Sequence, residues 1–346
     1  MPEPQPVSAT IHRYALPLSD ASAAGNAGVC REGALLELKD DDGNVGWGEA
    51  APLPGFSGES LEDALRQLGA ASALEEEPYP SVRFAVELAR LNLRAAASGE
   101  LLPRLLSPAP RDTVESNALI SGEPQHSPAE ASRLKAAGYR AVKLKVGRGP
   151  VGEDAALARR VADALGESVS LRLDANRAWS LEEALAFARG VAGLSLEYIE
   201  EPLADPALLP RFAAESDLPL ALDESLAGIS AAALEDHAYA SAVVLKPTIL
   251  GGISRSLALA ARADDLGMKA VVSSAFESGV GTLGLVALAA ALPGDGAAAG
   301  LDTYRRLGAD VLRPPLELGP SLDAAELLGA RRDLNTRYLE SVEAAR

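Results

Sequence analysis

The chain has 346 residues, 48% of them hydrophobic, and a formal net charge of −17. This length allows a large core and two domains, whereas the acidity argues against nucleic acid or an anionic membrane as a partner. A single cysteine, Cys30, excludes an internal disulfide and a cysteine-rich metal site, and the lack of a secretion signal or a membrane-length apolar run favours a cytoplasmic location.

The first part of the chain predicts a small α+β domain. A strand over 5–18 and a loop over 19–28 precede a hairpin around an aspartate-glycine turn, with strands 33–39 and 45–50. After a second loop, Ser60 and Asp63 can cap a helix, and another amphipathic helix covers 81–97. A proline-rich segment marks the boundary, so the predicted domains are 1–110, 111–312 and 313–346. A helix over 321–342 should return to the first domain.

From Thr113 onward the pattern is an alternation of strands and alanine-rich helices, which is typical of a parallel sheet or barrel. Eight strands in about 200 residues favour a closed (β/α) barrel, whose sites lie at the carboxyl ends of the strands. The predicted strands are 114–120, 140–146, 169–174, 196–200, 219–223, 242–246, 269–274 and 298–302. The predicted helices are 128–137, 154–165, 181–191, 206–215, 231–236 and 253–266.

Half of the lysines lie at the ends of strand-like runs. Lys143 and Lys145 are two residues apart and therefore share one face of a strand, and Lys246 ends a later run. The chain has 26 arginines but only six lysines. Lysine, unlike arginine, can lose its proton when it is desolvated or lies near other positive charge. The pattern therefore indicates chemistry that needs a neutral amine; the alternative is that these strand-end lysines share no role.

Three successive strand-like runs end in an acidic residue, namely Asp174, Glu200 and Asp223. Hard oxygen ligands on adjacent strands suit Mg²⁺, which leaves coordination positions open for a substrate. The alternative is that each acid only caps the helix after it. Period-two counting places Arg172 on the face of Asp174, where it could hold a carboxylate or pair with an acid. Glu201 and Glu224 directly follow candidate ligands and should point elsewhere.

Five motifs, in chain order, resemble those of the enolase superfamily: Lys-Leu-Lys-Val-Gly, Leu-Asp-Ala-Asn-Arg-Ala-Trp, Tyr-Ile-Glu-Glu-Pro-Leu, Leu-Asp-Glu-Ser and Leu-Lys-Pro. They resemble the branch that contains muconate cycloisomerases, dipeptide epimerases and o-succinylbenzoate synthase. The segment Gly46 to Ser57 is similar to the capping-domain signature. The resemblance implies an α/β fold: a (β/α)7β-type TIM barrel with an α+β capping domain formed by the N-terminal part and the C-terminal tail.

The resemblance also implies roles for individual residues. The metal ligands fall on Asp174, Glu200 and Asp223, and the ion is Mg²⁺, with Mn²⁺ as the alternative. The base falls on Lys145, and Lys246 takes the position on the opposite side of the substrate. The bound cation and Lys143 would both help to keep Lys145 neutral, so that it can accept a proton.

The run Val272 to Gly281 is the part of the sequence that indicates which substrate binds. Its hydroxyls and backbone N–H groups could hold a carboxylate, and it resembles the succinyl-binding segment of o-succinylbenzoate synthases. An ordinary small-residue turn is the alternative. The predicted substrate-binding residues are Arg172, Asn176, Ser273, Ser274, Ser278 and Gly279. Asp302 stands alone where dipeptide epimerases usually have an Asp-x-Asp pair.

The sequence leads to the hypothesis of a Mg²⁺-dependent dehydration in menaquinone biosynthesis, with 2-succinyl-6-hydroxy-2,4-cyclohexadiene-1-carboxylate as the substrate. An N-succinylamino acid racemase or dipeptide epimerase is the nearest alternative. A Schiff-base aldolase and a non-catalytic barrel are the others. The expected partner is a small carboxylate, with no nucleic acid and no membrane, and homo-oligomerisation is left open. Loops 19–30 and 51–59 should close over the barrel mouth and exclude water.

Overall fold

A computed structural model describes residues 4–19, 30–70, 78–294 and 296–342. The strands are β1 (Ser8–Pro17), β2 (Cys30–Lys39), β3 (Val45–Ala50), β4 (Thr113–Glu115), β5 (Ala118–Ile120), β6 (Ala141–Lys145), β7 (Ser170–Asp174), β8 (Leu196–Glu200), β9 (Leu220–Leu222), β10 (Ala242–Leu245), β11 (Lys269–Val272), β12 (Leu312–Arg313), β13 (Ser321–Asp323), β14 (Asp333–Leu334) and β15 (Leu339–Val342). The α-helices are α1 (Leu61–Gly69), α2 (Pro80–Ser98), α3 (Leu102–Leu106), α4 (Ser127–Ala136), α5 (Val151–Leu165), α6 (Leu181–Gly190), α7 (Leu209–Glu215), α8 (Pro247–Leu250), α9 (Ile253–Asp265), α10 (Gly279–Ala291) and α11 (Ala324–Gly329).

Among the described residues, an antiparallel sheet in the order β15–β1–β2–β3 forms the cap. Helix α2 packs closely on β3 because Gly46 and Gly48 have no Cβ atom. A Cβ at these two positions would lie 2.1 Å and 1.8 Å from backbone oxygens of α2. The predicted cap of the first helix is confirmed, since Ser60 and Asp63 form a reciprocal capping box at the start of α1.

The prediction of a helix over 321–342 is wrong. These residues form β13, the short helix α11, β14 and β15. Strand β15 pairs with β1 from Tyr14↔Leu339 to Ile11↔Val342. The tail therefore does return to the first domain, but as a strand that covers a sheet edge. This pairing is a long-range effect that the local pattern does not contain. Of the predicted 19–28 loop, all but Ser19 lies outside the described residues.

The described part of the barrel wall is a parallel sheet in the order β11–β10–β9–β8–β7–β6–β5. The segment around Ala299 and Gly300 closes the ring through single bridges to Ser116 and Ser273. The prediction of a closed barrel is thus confirmed. The predicted first strand, 114–120, is divided, because β4 pairs with β13 while β5 joins β6 in the barrel. The predicted helix over 231–236 is a 3₁₀ turn, Ala232–His237.

Side-chain alternation decides what each barrel strand presents to the two sides of the wall. Val142 and Leu144 of β6 lie in the apolar core between the strands and the surrounding helices. Lys143 and Lys145, on the same strand, point the other way, into the barrel. Within the described ranges, no helix has the length and hydrophobicity to cross a membrane.

Candidate active site

The carboxyl ends of consecutive barrel strands bring the predicted charged residues together at one end of the barrel. Lys143 and Lys145 lie on β6, Asp174 and Glu200 end β7 and β8, and Asp223 and Lys246 directly follow β9 and β10. The parallel register pairs Lys145 with Asp174, and Asp174 with Glu200. These side chains therefore lie at similar depth, in a layer at the barrel mouth.

Two of the lysines lie between two of the acids. The Nζ atom of Lys143 is 2.7 Å from Glu200 Oε2 and 2.8 Å from Asp174 Oδ2, and Lys145 Nζ is 2.7 Å from the same Asp174 oxygen. Asp174 is 1% exposed and Glu200 is fully buried. Charges buried to this extent are stable only when they are paired or bind a metal, and here lysine ammonium groups supply the pairing.

The third lysine is on the other side of the mouth. Lys246 Nζ donates to Asp223 Oδ2 and lies 5.7 Å from the centroid of the Phe56 ring. Phe56 belongs to the cap loop that follows β3. The cap therefore contributes an aromatic face that contacts a charged amine of the barrel.

Burial and the neighbouring charges shift the pKa values of these carboxylates in opposite directions. Burial, together with the charge of Asp174, raises the pKa of Glu200 to about 8, and burial also raises the pKa of Asp223. Although burial opposes it, the charges of Lys143 and Lys145 lower the pKa of Asp174 below its ordinary range. The buried carboxylates of this layer thus repel one another, and a divalent cation bound between them would relieve this repulsion.

Asn176 and Glu224 extend the charge network. Lys145 donates to Asn176 Oδ1, and Asn176 Nδ2 donates to Glu224 Oε1 at 3.2 Å. The other carboxylate oxygen of Glu224 is buried and has no hydrogen-bond partner among the described residues. The prediction that Glu224 points elsewhere is wrong, because β9 ends at Leu222 and the backbone of Asp223 is no longer extended, with φ −124° and ψ −85°.

A cavity of about 220 Å³ lies above this layer. It is lined by the predicted residues Lys143, Lys145, Asp174, Asn176, Lys246, Ser273 and Ser274. Leu53 and Phe56 of the cap also line it, so that loop covers the barrel mouth. Arg148 and Arg306 complete one wall of the cavity. Sequence reasoning missed both arginines, because they follow different strands and belong to none of the recognised motifs.

Arg172 does not line this cavity. It points into the barrel, as alternation predicted, but towards the amino-terminal ends of the strands. There it is 1% exposed, and its Nε atom lies 2.8 Å from Glu197 Oε2. Its Nη1 atom donates to Asn117 Oδ1 at 3.0 Å. Period-two counting gives the face on which a side chain lies but not its depth in the barrel.

Ser278 and Gly279 are also absent from the walls of this cavity, and the structure uses them to join the cap to the barrel. Glu49 of β3 accepts from Tyr14 Oη at 2.6 Å, Ser278 N at 2.7 Å, Ser278 Oγ at 2.5 Å and Gly281 N at 2.7 Å. Gly279 N donates to a buried carboxylate, Asp310 Oδ1, at 2.8 Å. In the structure Ser278 and Gly279 thus contact Glu49 and Asp310, and their assignment to substrate binding stays a prediction. The start of α10 therefore forms part of the contact between cap and barrel that is centred on Glu49, which is called the cap–barrel joint below.

Arg31 also stabilises the cap–barrel joint, because it contacts both the cap loop and the barrel loop. It is 2% exposed, and its guanidinium donates to the carbonyls of Ala51 and Pro52 in the cap loop and of Ala275 and Phe276 in the barrel loop. One buried cation thus fixes the two loops that face each other across the cavity.

As the described side chains stand, no three acidic, histidine or cysteine residues converge closely enough to hold an ion, because lysine amines lie between the carboxylates. The donor set nonetheless suits Mg²⁺. It consists of three hard carboxylates at successive strand ends, where burial and the charge of Asp174 raise the pKa of Glu200. The groups that separate them are flexible lysine side chains rather than backbone.

Comparison with known proteins gives consistent matches. The family model for the enolase C-terminal domain-like fold matches residues 127–319, and that for the MenC N-terminal domain matches residues 7–93. The chain is 32% identical to the o-succinylbenzoate synthase of Haemophilus influenzae and 33% identical to that of Vibrio cholerae, each over 88% of this chain and 92% of the relative. A solved structure of N-succinyl Arg/Lys racemase from Bacillus cereus has a TM-score of 0.82, at 21% identity over 98% of this chain and all of that one.

Proposed function

The chain belongs to the o-succinylbenzoate synthase family of the enolase superfamily, and from this we propose that it dehydrates 2-succinyl-6-hydroxy-2,4-cyclohexadiene-1-carboxylate to 2-succinylbenzoate. In this reaction the proton on the carbon α to the ring carboxylate and the 6-hydroxyl leave together as water. The observation that carries the proposal is the layer of strand-end carboxylates and lysines beneath a capped cavity. We place this activity in the cytoplasm and in menaquinone biosynthesis.

Lys145 is the proposed base. Its side chain is 23% exposed on the cavity wall, and its amine is oriented by Asp174 and Asn176. Asp174, Glu200 and Asp223 would hold Mg²⁺, which when bound stabilises the enediolate charge that develops as the proton leaves. Lys145, whose amine contacts Asp174 and Asn176 on the cavity wall, takes the proton from the carbon α to the ring carboxylate. The same amine can return the proton to the departing hydroxyl.

Lys246 and Lys143 have positioning and electrostatic roles in this proposal. Lys246 lies across the mouth from Lys145, where its charge faces the opposite side of a substrate ring. In the metal-free protein, although burial opposes it, the charges of Asp174 and Glu200 raise the pKa of Lys143 well above its ordinary value. Leu53 and Phe56 would exclude water from the ring once a substrate is bound.

N-succinylamino acid racemisation is the second candidate. A racemase needs a proton donor or acceptor on each face of its substrate, and Lys145 and Lys246 are placed on opposite sides of the cavity. The single acid at Asp302, in place of a pair, is the sequence feature that disfavours dipeptide epimerisation.

A direct assay of both substrates distinguishes these functions. Purified protein with MgCl₂ is given the cyclohexadiene acid, whose diene absorbance is followed, and separately N-succinylamino acids, whose optical rotation is followed. We expect dehydration that stops with EDTA and with Lys145→Ala. Turnover of the succinylamino acids without dehydration would contradict the proposal. Inactivation by borohydride in the presence of substrate would point to a Schiff base instead.

A further inference from the structure

Glu201 lies among the loops that carry the predicted metal ligands. It directly follows Glu200 at the end of β8, and β8 lies between β7 and β9 in the sheet. Glu201 is fully buried, and it is not among the described residues that line the cavity. Its backbone has a φ of 41°, in the left-handed region that residues other than glycine rarely adopt. Such a conformation next to a functional site persists only where specific contacts hold it.

The unusual backbone of Glu201 changes how β8 is joined to its two neighbours. The ladder between β8 and β9 continues as far as the bond from Glu201 N to the Ala221 carbonyl, at 3.2 Å. In a regular parallel ladder, the next bond would join Asp223 N to the Glu201 carbonyl. That carbonyl instead accepts from Arg177 N, in the loop after β7, at 2.7 Å. The Glu201 side chain takes its place, since Oε1 accepts from Asp223 N at 3.0 Å.

The same carboxylate has three further donors. Oε1 also accepts from Ser225 N at 2.8 Å, and Oε2 accepts from Ser225 Oγ at 2.9 Å and from Arg177 Nε at 3.0 Å. Arg177 Nη2 in turn donates to Ser225 Oγ at 2.9 Å. One buried carboxylate therefore fixes the start of the loop after β9 and ties it to the loop after β7.

These contacts bear on metal binding because Asp223 is the predicted ligand that lies beyond its strand. Asp174 and Glu200 end β7 and β8, and the ladder between these strands pairs them directly. Asp223 follows β9 with a ψ of −85°, and its backbone N–H is bound by Glu201 instead of by a neighbouring strand. The position of the Asp223 carboxylate therefore depends on the Glu201 side chain. Groups that orient a metal ligand from behind commonly change metal affinity by about 10- to 100-fold.

We propose that Glu201 is a positioning residue of the metal centre, which holds Asp223 so that its carboxylate can bind the same cation as Asp174 and Glu200. This inference rests on the metal centre of the proposed function. Glu201 acts through the backbone of Asp223 and touches neither the ion nor the substrate. The role requires an acceptor oxygen for the two backbone N–H groups of Asp223 and Ser225, and it does not require the negative charge of the side chain.

Metal binding to the substrate-free protein tests this role without relying on turnover. Mn²⁺ is titrated, its free concentration is read from its electron paramagnetic resonance signal, and Mg²⁺ is then used to displace it. Glu201→Gln keeps Oε1 for the two backbone donors and turns its NH₂ group towards the Ser225 hydroxyl, which can rotate to accept. We expect its affinity to stay within about 3-fold of the wild type. Glu201→Ala removes the acceptor and should bind about 10- to 100-fold more weakly.

Two further variants calibrate this comparison. Asp223→Ala removes the ligand itself and should bind at least as weakly as Glu201→Ala. Asp310→Ala is the matched control, because Asp310 is also buried and accepts from two backbone N–H groups and from the Tyr304 hydroxyl, but at the start of α10. It should lower the melting temperature and leave the metal affinity within about 3-fold of the wild type.

A shorter side chain replaces Glu201→Ala if that variant does not fold. The carboxylate of Glu201→Asp is one methylene closer to the backbone, so it cannot reach Asp223 N and Arg177 at the same time. The same weakening of metal binding is expected of it, and wild-type affinity in this variant counts against the proposal in the same way.

The outcomes separate this inference from the proposed function. Wild-type affinity in Glu201→Ala overturns the positioning role, and so does equal weakening in Asp310→Ala, which would indicate general loosening. Glu201→Gln that binds as weakly as Glu201→Ala overturns it too, because the charge would then be needed. Protein with the expected order of affinities but no dehydration overturns the proposed function alone. An affinity that Asp223→Ala leaves unchanged overturns the metal centre and this inference together.

Discussion

Replacing Glu49 with Gln should weaken the joint between cap and barrel by about 1–3 kcal/mol in the free energy of unfolding. Oε1 of Glu49 accepts from Tyr14 Oη and Ser278 N, and Oε2 accepts from Ser278 Oγ and Gly281 N. Each oxygen thus faces one hydroxyl and one backbone N–H. In either orientation of the amide, its NH₂ group meets one backbone donor that cannot turn away, whereas the hydroxyl can rotate to accept. The variant therefore leaves one buried N–H unsatisfied, and Glu49→Ala, which leaves more, should cost about 3 kcal/mol or more.

Urea unfolding at pH 8 measures this loss. Because burial raises the pKa of Glu49, an alkaline buffer is chosen to keep its carboxylate ionised. Glu32→Gln is the matched control, since the Glu32 side chain is 49% exposed and pairs with Arg13 at the surface. It should change the free energy of unfolding by less than about 1 kcal/mol. A Glu49→Gln variant within about 0.5 kcal/mol of wild type would refute the reasoning.

Three other outcomes can be measured separately. Lys145→Ala should lower kcat by about 10²- to 10⁴-fold, because it removes the proposed base, while its thermal midpoint with Mg²⁺ stays close to that of the wild type. In the absence of metal, the melting temperature should decrease as the pH is raised from about 5 to about 8. The pKa of Glu200 is about 8 in the folded state against 4.5 ordinarily, so the folded state binds more protons there and loses stability as the pH rises. Added Mg²⁺ should reverse this trend. A melting temperature that increases with pH in the absence of metal would contradict the prediction. Gly48→Ala should lower the free energy of unfolding, measured with urea, by about 3 kcal/mol, because the new Cβ would lie 1.8 Å from the Ala85 carbonyl oxygen. Gly58→Ala is the control and should change this free energy little, because its Cβ meets no described atom within 4 Å.

Much of the charged layer could be predicted because two local rules apply to it. Alternation along a strand places Lys143 and Lys145 on one face, and parallel strands in register bring Asp174 and Glu200 to a similar depth. The same rules fail once the strand ends. Glu224 lies in the 3₁₀ turn after β9, where alternation no longer assigns a face, and it extends the network instead of pointing away.

The features that the sequence analysis missed depend on contacts between distant segments. The hydroxyl-rich run predicts that Ser278 binds substrate, but Glu49, from the other domain, accepts hydrogen bonds from both its backbone N–H and its hydroxyl. Arg148 and Arg306 approach each other only because the barrel closes. Strand formation by 339–342 depends on the free edge of β1. None of these partners lies within the window that periodicity samples.

The pairing of β15 with β1 has a consequence for biosynthesis. Strand β15, at one edge of the cap sheet, emerges from the ribosome after every other described strand. Strand β1 therefore presents an unpaired edge until translation reaches 339–342. The cap can therefore mature only after the barrel has been synthesised.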